Sequence, residues 1–460
     1  MFYFSQLNKR TAYTMQNTPE LLNFTRAQGK KVEARFGAAP MSSDGGALVL
    51  GEVARRTGIT DKLAACIKDV RTAGMVDHSY ATMILQRTLQ ICMGYEDADD
   101  CDHLRHDPVF QTAVGRAPEA AKCALSSQPT MTRLENYVDA KALIRMGYAF
   151  VDNYIDSFAA EPPMVLLDMD PTAVTVYGDQ QLRLFNGFED EYCLMPFHVY
   201  DGLTGKFITT VIRPGKTPTA QEIKSVLKRI VRRIRSRWKK TQIVLRADSH
   251  HTKPEVMDWL EANKVGYVTG LGPNCRLDEM FAATIAEARL RRDRTGKEVR
   301  MYAAGWYKAD SWSRHRRVIC RVLAGSMGLD TRYIVTSYEE TGAKFLYDGV
   351  YSDRGNAELM IKDHKTDLGS DRCSCTKATA NQFRLFLHSA AYVVMHELRS
   401  RGLAGTEFAR ARFSTIRLRL LKVAARLETA KRVIRFTMPA VFPLKDIFTK
   451  AVAAISPLRV

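Results

Sequence analysis

A mixed α/β fold, with a central sheet set between two helical regions, is what this 460-residue sequence predicts, and three observations predict it. Apolar residues recur every three to four positions from Ser42 to about Phe158, the period of amphipathic helices. At Pro162 and Pro163 the period becomes that of strands. Beyond them the pattern orders a hairpin meander of three strands, then a helix, a strand, a helix and a strand.

The elements follow in chain order. Residues 1–41 are polar and mixed and read as an N-terminal arm or edge hairpin. Residues 42–160 form a helical domain: Ser43 and Asp44 stand as caps before ALVLGEVARRTG, and SSQPTMTRLENYVDAKALIRMGYAFVDNYI reads as one long helix with an early Pro129. In residues 161–274, MVLLDMDPTAVTVY is a buried strand interrupted by carboxylates, and CLMPFHVYDGLTGKFITTVIRPG is a hairpin turning at Asp201-Gly202. A basic helix from about Thr219, the strand TQIVLRADS, a helix near Pro254 to Asn263 and the strand GYVTGLG complete the order of a ribonuclease-H-like sheet. Residues 275–337 read as a β-rich insertion with its own strands, residues 338–398 as the second part of the core, and residues 399–460 as a basic helical C-terminal region.

Composition narrows the function classes. With 46% apolar and 26% charged residues the chain should fold, and no leader pattern or 18-residue apolar run indicates export or membrane insertion. Nine cysteines without a CxxC pair fit a reducing cytoplasm, and Cys373-x-Cys375 is incomplete as a zinc motif. Lys plus Arg outnumber Asp plus Glu by 68 to 50, a formal charge of +18, which points to a polyanionic partner. The charge is clustered. Residues 224–240 hold nine basic residues and no acid, and residues 399–460 hold 14 basic residues against three acidic ones. Arg232, Arg233 and Arg235 of the first cluster are therefore candidate DNA contacts.

The chemistry concentrates in three segments. YSDRGNAELMIKDHK places Tyr351, Arg354, Glu358 and Lys365 at offsets that share one face of an α-helix. LLDMDPT carries Asp168 and Asp170 on one strand face, and LRADS ends its strand in Asp248. Carboxylates in so apolar a strand are either buried and paired or they bind something. Trp306 and Trp312, aromatics among positive charges in GWYKADSWSRHRR, suit stacking on an unstacked base or the filling of a small β core.

The pattern Y-x2-R-x3-E-x6-K resembles the signature helix of the bacterial insertion-sequence transposases with a DDE site and a β-strand insertion before the glutamate. SSDGGALVLGEV, MGYEDADDCDHLRHDP, SQPTMTRLEN, FNGFED and GTEFARARFSTIRLRLLKVAARL look like pieces of one branch, the 1380 family. The resemblance implies Asp170, Asp248 and Glu358 as catalytic carboxylates holding Mg²⁺ or Mn²⁺, two ions per site, with Asp168 within reach of the metal. It implies Tyr351 and Arg354 at a phosphate beside the cut and Lys365 on the DNA backbone. The partners implied are element ends, target DNA and a second copy of the chain. The sequence departs from its relatives after Asp248, where Ser249 is followed by His250 and His251 in place of glycine and an aromatic, so a structural or phosphate-facing role is expected there. A domesticated DNA-binding protein that no longer cuts, or a nuclease without strand transfer, are the other readings.

Overall fold

The computed structural model describes residues 21–118 and 123–456, and its centre is one mixed sheet of eight strands. The strands are β1 (Met164–Pro171), β2 (Phe197–Asp201), β3 (Phe207–Val211), β4 (Gln242–Ala247), β5 (Gly266–Leu271), β6 (Val299–Tyr307), β7 (Arg316–Gly325) and β8 (Gly328–Thr336). Their spatial order is β6-β7-β8-β5-β4-β1-β2-β3. The first five in sequence give β3-β2-β1-β4-β5, with β4 parallel to β1 and β5 and β2 antiparallel to β1, as expected of a ribonuclease-H-like core.

Helices cover both faces: α1 (Ala140–Asp156), α2 (Ala220–Arg237), α3 (Pro254–Ala262), α4 (Gly355–Lys362) and α5 (Ala378–Glu397). Thr219 starts α2 through a reciprocal cap, its hydroxyl accepting from the Glu222 N–H while the Glu222 carboxylate accepts from the Thr219 N–H. Ile223, Leu227, Ile230 and Ile234 then share one buried face, packed with Leu167, Met169 and Leu245 of β1 and β4. The other face of the sheet is covered by a helical run from Phe345 to Asp367, with α4 at its middle and wider π-type turns at Phe345–Tyr351 and Asp363–Asp367. Behind that run lies α5, buried around its circumference, whose polar side chains bond inward: His388 to the Leu368 carbonyl and His396 to the Thr204 carbonyl. Among the described residues no helix is long and apolar enough to cross a membrane.

Several expectations are corrected. The expected single helix over residues 126–155 is two, Gln128–Tyr137 and α1, because Asp139 turns its carboxylate to the Ala142 N–H and starts a new helix. Ser43 and Asp44 do not cap the helix Ala47–Thr57. Asp44 is buried instead, accepting from Lys422 at 2.5 Å and Tyr95 at 2.9 Å, while Gly46 lies so close to Leu421 that a Cβ would fall 2.5 Å from its Cα. The insertion at 275–337 begins with two helices, Cys275–Met280 and Ala282–Thr295, the second built from Ala, Glu and Arg, which favour helix. Its three strands extend the main sheet, because β8 pairs with β5. The C-terminal region is not all helical. Ala425–Ala430 and Val433–Thr437 form a hairpin that pairs with Met41–Ser42. The N-terminal arm holds a hairpin at Leu22–Ala34, and its first 20 residues lie outside those described. Helices before the sheet and segments after it share one apolar core, Leu50 and Ile84 with Phe383, Phe413 and Ile455 among them.

Candidate active site

The parallel pairing of β1 and β4 builds the site in two rungs. Asp168 lies abreast of Arg246. The Arg246 Nε and Nη2 each donate to a carboxylate oxygen of Asp168 at 2.6 Å, and Nη1 donates to the Val350 carbonyl at 2.6 Å. Both side chains are buried. Gly202 makes room for them, since a Cβ there would fall 2.5 Å from Asp168 Oδ2. Two residues on, side chains return to the same face; past this last pair, Asp170 at the end of β1 and Asp248 just beyond β4 form a second rung close enough for the Asp248 carboxylate to raise Asp170.

That second rung is a pair of like charges. Burial, then the neighbouring Asp248 and Glu358 carboxylates, push the Asp170 carboxyl up to about 7 against the opposing pull of Arg354. Asp248 is held differently. It opens the short turn Ser249–His251, where His250 Nδ1 and His251 Nδ1 lie 2.8 and 2.9 Å from its two oxygens and the His250 N–H donates at 3.0 Å. Burial would raise Asp248, but the two imidazoles outweigh it and hold the carboxyl below the usual range. His251 is buried and its Nε2 has no hydrogen-bond partner, so its Nδ1 contact with Asp248 is what fixes the ring.

The helical run 345–367 closes the site from above. Arg354 Nη1 lies 3.1 Å from Asp170 Oδ2 and its Nη2 lies 3.6 Å from Glu358 Oε1, so one guanidinium bridges two carboxylates. The Glu358 side chain is 66% exposed. Tyr351 reaches over the end of β5, where Gly270 is required: a Cβ there would fall 2.6 Å from the phenol oxygen and 3.1 Å from the Ser249 nitrogen. Lys365 donates to the Ala173 carbonyl at 2.6 Å, tying down the chain that leaves Asp170. Among the described residues no three His, Cys, Asp or Glu side chains converge closely enough to hold a metal ion, and the Arg354 cation stands between Asp170 and Glu358. The donor types nevertheless suit a hard divalent cation: the Asp248 and Glu358 carboxylates lie near enough to raise the proton affinity of Asp170, and a positive group stands among them.

The remaining candidates lie elsewhere. The α2 helix packs on the opposite face of the sheet. There Arg233 grips Asp152 of α1 through Nε and Nη2 at 2.5 and 2.6 Å, Arg235 bonds the Lys264 carbonyl at 3.1 Å, and Arg232 is exposed together with Lys228 and Arg229. Trp306 is half exposed on the sheet-edge strand β6, whereas Trp312 is buried against Tyr307 with the Arg316 guanidinium 5.4 Å from its ring centre. Arg246 was missed from sequence. Its signal was the parity: LRADS carries a charge two residues before Asp248, as LLDMDPT does before Asp170.

The geometry defines a ribonuclease-H-like core whose strand ends gather acidic residues. The chain belongs to the transposase DDE domain group 1 family, whose model matches residues 24–460. Among solved structures it is similar to a piggyBac transposase synaptic complex with hairpin DNA, seen by cryo-EM, at 13% identity and a TM-score of 0.39, over 90% of this chain and 83% of that one. No curated protein matches it.

Proposed function

We propose that this chain is a working DDE transposase, which binds the ends of a mobile element, hydrolyses the phosphodiester at each end to free a 3′ hydroxyl, and joins that hydroxyl to target DNA. The observation that carries the reading is the rung of like charge, Asp170 beside Asp248, with Glu358 and Arg354 above it. Asp170, Asp248 and Glu358 are assigned as ligands of Mg²⁺ or Mn²⁺, and two such ions would stabilise the attacking and leaving oxygens of an in-line displacement. Asp248 is oriented in advance by His250 and His251, and Glu358 approaches from solvent. Arg354 neutralises Asp170 in the DNA-free chain, and its planar fork suits a phosphate once DNA is bound. Tyr351 is assigned to the same phosphate, and Lys365 to the backbone beyond, through the segment it holds at Ala173. Asp168 is assigned to its ion pair with Arg246 rather than to metal, because both its oxygens are taken. Trp306 is assigned to stacking and Trp312 to packing. Two copies act on paired ends, and the likeness to the narrower 1380 branch belongs to the same proposal.

The test is incubation of the purified chain with a pre-cut element end, Mg²⁺ and a plasmid. Joined product is the expected outcome. Nicking without joining would make it a nuclease, and a band shift alone would make it a DNA-binding protein.

A further inference from the structure

The chain between β1 and β2 leaves the active site, builds a small three-stranded sheet and returns. Its strands are Val174–Thr175, Leu184–Asn186 and Glu191–Leu194. The base of this sheet is fixed: Val174, Val176 and Leu194 pack with Cys373, and the Gln181 N–H donates to the Thr376 carbonyl at 2.9 Å. Its outer part is apolar and open. Tyr177 is 93% and Phe188 92% exposed, and the cross-strand pair Phe185 and Tyr192 stands half exposed at 5.5 Å between ring centres. A firmly mounted cluster of exposed aromatics is a surface that a partner covers.

Charge decides which partner. Residues 172–194 carry Asp179, Glu189, Asp190 and Glu191 against a single base, Arg183, in a chain of formal charge +18. Arg183 is itself spent on Asp179 at 2.9 Å and on the Tyr192 ring. Four carboxylates around exposed aromatics repel a phosphate backbone and fit a basic protein surface. The chain supplies such a surface, with exposed Lys228, Arg229 and Arg232 of α2. We infer that this aromatic, acidic hairpin is the surface through which two copies of the chain associate, docking on a basic face of the second copy. The inference deepens the paired-copy part of the function proposed above by naming the surface, and it places the contact on the chain directly after Asp170.

Sedimentation of the full chain without DNA or metal, over a micromolar concentration range, tests it. The wild type is expected to self-associate, more weakly as salt rises, and Phe188→Ser and Glu189→Lys should each weaken association at least about tenfold with an unchanged melting temperature. Asp190 is left alone because its φ of 56° would strain a replacement. Fluorescence anisotropy on a short random duplex runs alongside, and both variants should bind it at least as well as the wild type. A wild type that stays monomeric, or variants that associate as it does, would overturn the inference. So would variants that lose duplex affinity while associating normally, since the hairpin would then touch DNA. Cleavage is not read in this experiment, so an inactive enzyme would sink the transposase reading and leave the interface standing.

Discussion

Two neighbouring rungs of one parallel strand pair carry opposite solutions to the same problem. At the inner rung a buried carboxylate, Asp168, faces a buried guanidinium, Arg246, and each of its oxygens receives an N–H. At the outer rung, one pleat further toward the strand ends, a carboxylate lies near another carboxylate, Asp170 met by an arginine reaching in from the helical run above and Asp248 by the imidazoles of His250 and His251. The inner rung is complete within the fold. The outer one keeps a carboxyl with raised proton affinity, and on the proposed function this difference separates a structural aspartate from a chemical one although both sit on one strand face.

The largest effect that could break the comparison is on cleavage. Asp170→Asn, Asp248→Asn and Glu358→Gln should each cost several orders of magnitude in Mg²⁺-dependent cutting, with end binding close to wild type by gel shift. Near-normal cutting by any of them would remove that residue from the site. Asp168→Asn should behave differently, leaving the Arg246 cation buried without its partner and lowering unfolding free energy by about 3–5 kcal/mol in denaturant titration. If Asp168→Asn were as stable as wild type and catalytically dead, the two rungs would have to exchange roles.

Burial of ionisable side chains appears again in α5, here beside like rather than opposite charges. Burial lowers His388 and His396 to about 3, whereas an unfolded histidine titrates near 6.5. The unfolded chain thus binds more protons between these values, so their contribution is whole above about pH 6.5 and falls as the pH drops toward 3, by about 1.4 kcal/mol per pH unit for each ring. Urea midpoints of wild type and His388→Gln across this range should show the flatter slope in the variant. An equal slope would mean that His388 protonates in the folded chain.

The smallest expected effect concerns the basic helix. Replacing Arg232, Arg233 and Arg235 together should reduce the slope of log affinity against log salt if α2 lies along DNA, and most of the change should come from Arg232, worth about 0.9 on its own. Arg233 is already held by Asp152 and should contribute less. An unchanged slope in the triple variant would leave α2 to protein contacts.

Much of the core was legible. The strands of the β3-β2-β1-β4-β5 unit and the helices α2 and α3 follow from apolar period and caps, because those signals are local, but the expected strand MVLLDMDPTAVTVY ends at Pro171 and its Val174–Thr175 joins a separate small sheet. The three strands of the insertion were legible as strands but not as an extension of the main sheet, since nothing in TRYIVTSY says that β8 will pair with β5. The C-terminal hairpin was missed for a related reason: its partner, Met41–Ser42, lies almost four hundred residues away. The signature residues do not ride one α-helix as their offsets suggested: Tyr351 ends a π turn, Arg354 a 3-10 turn, Glu358 lies in α4 and Lys365 in a second π turn, from which it reaches a backbone carbonyl at the base of the site.

The sequence alone determined the kinds of element, the basic surface and the set of carboxylates, because periodicity, charge and residue type are properties of short segments. It could not choose between Asp168 and Asp170, whose positions differ by one full pleat and therefore share a face. The tertiary structure decided what each aspartate faces, by setting β4 in a register that pairs Arg246 with Asp168 and carries Asp248, just past the strand, to the neighbourhood of Asp170. Register is a relation between distant segments, fixed by how the sheet packs against its helices, and a charge acquires its role only from the group that packing brings opposite it.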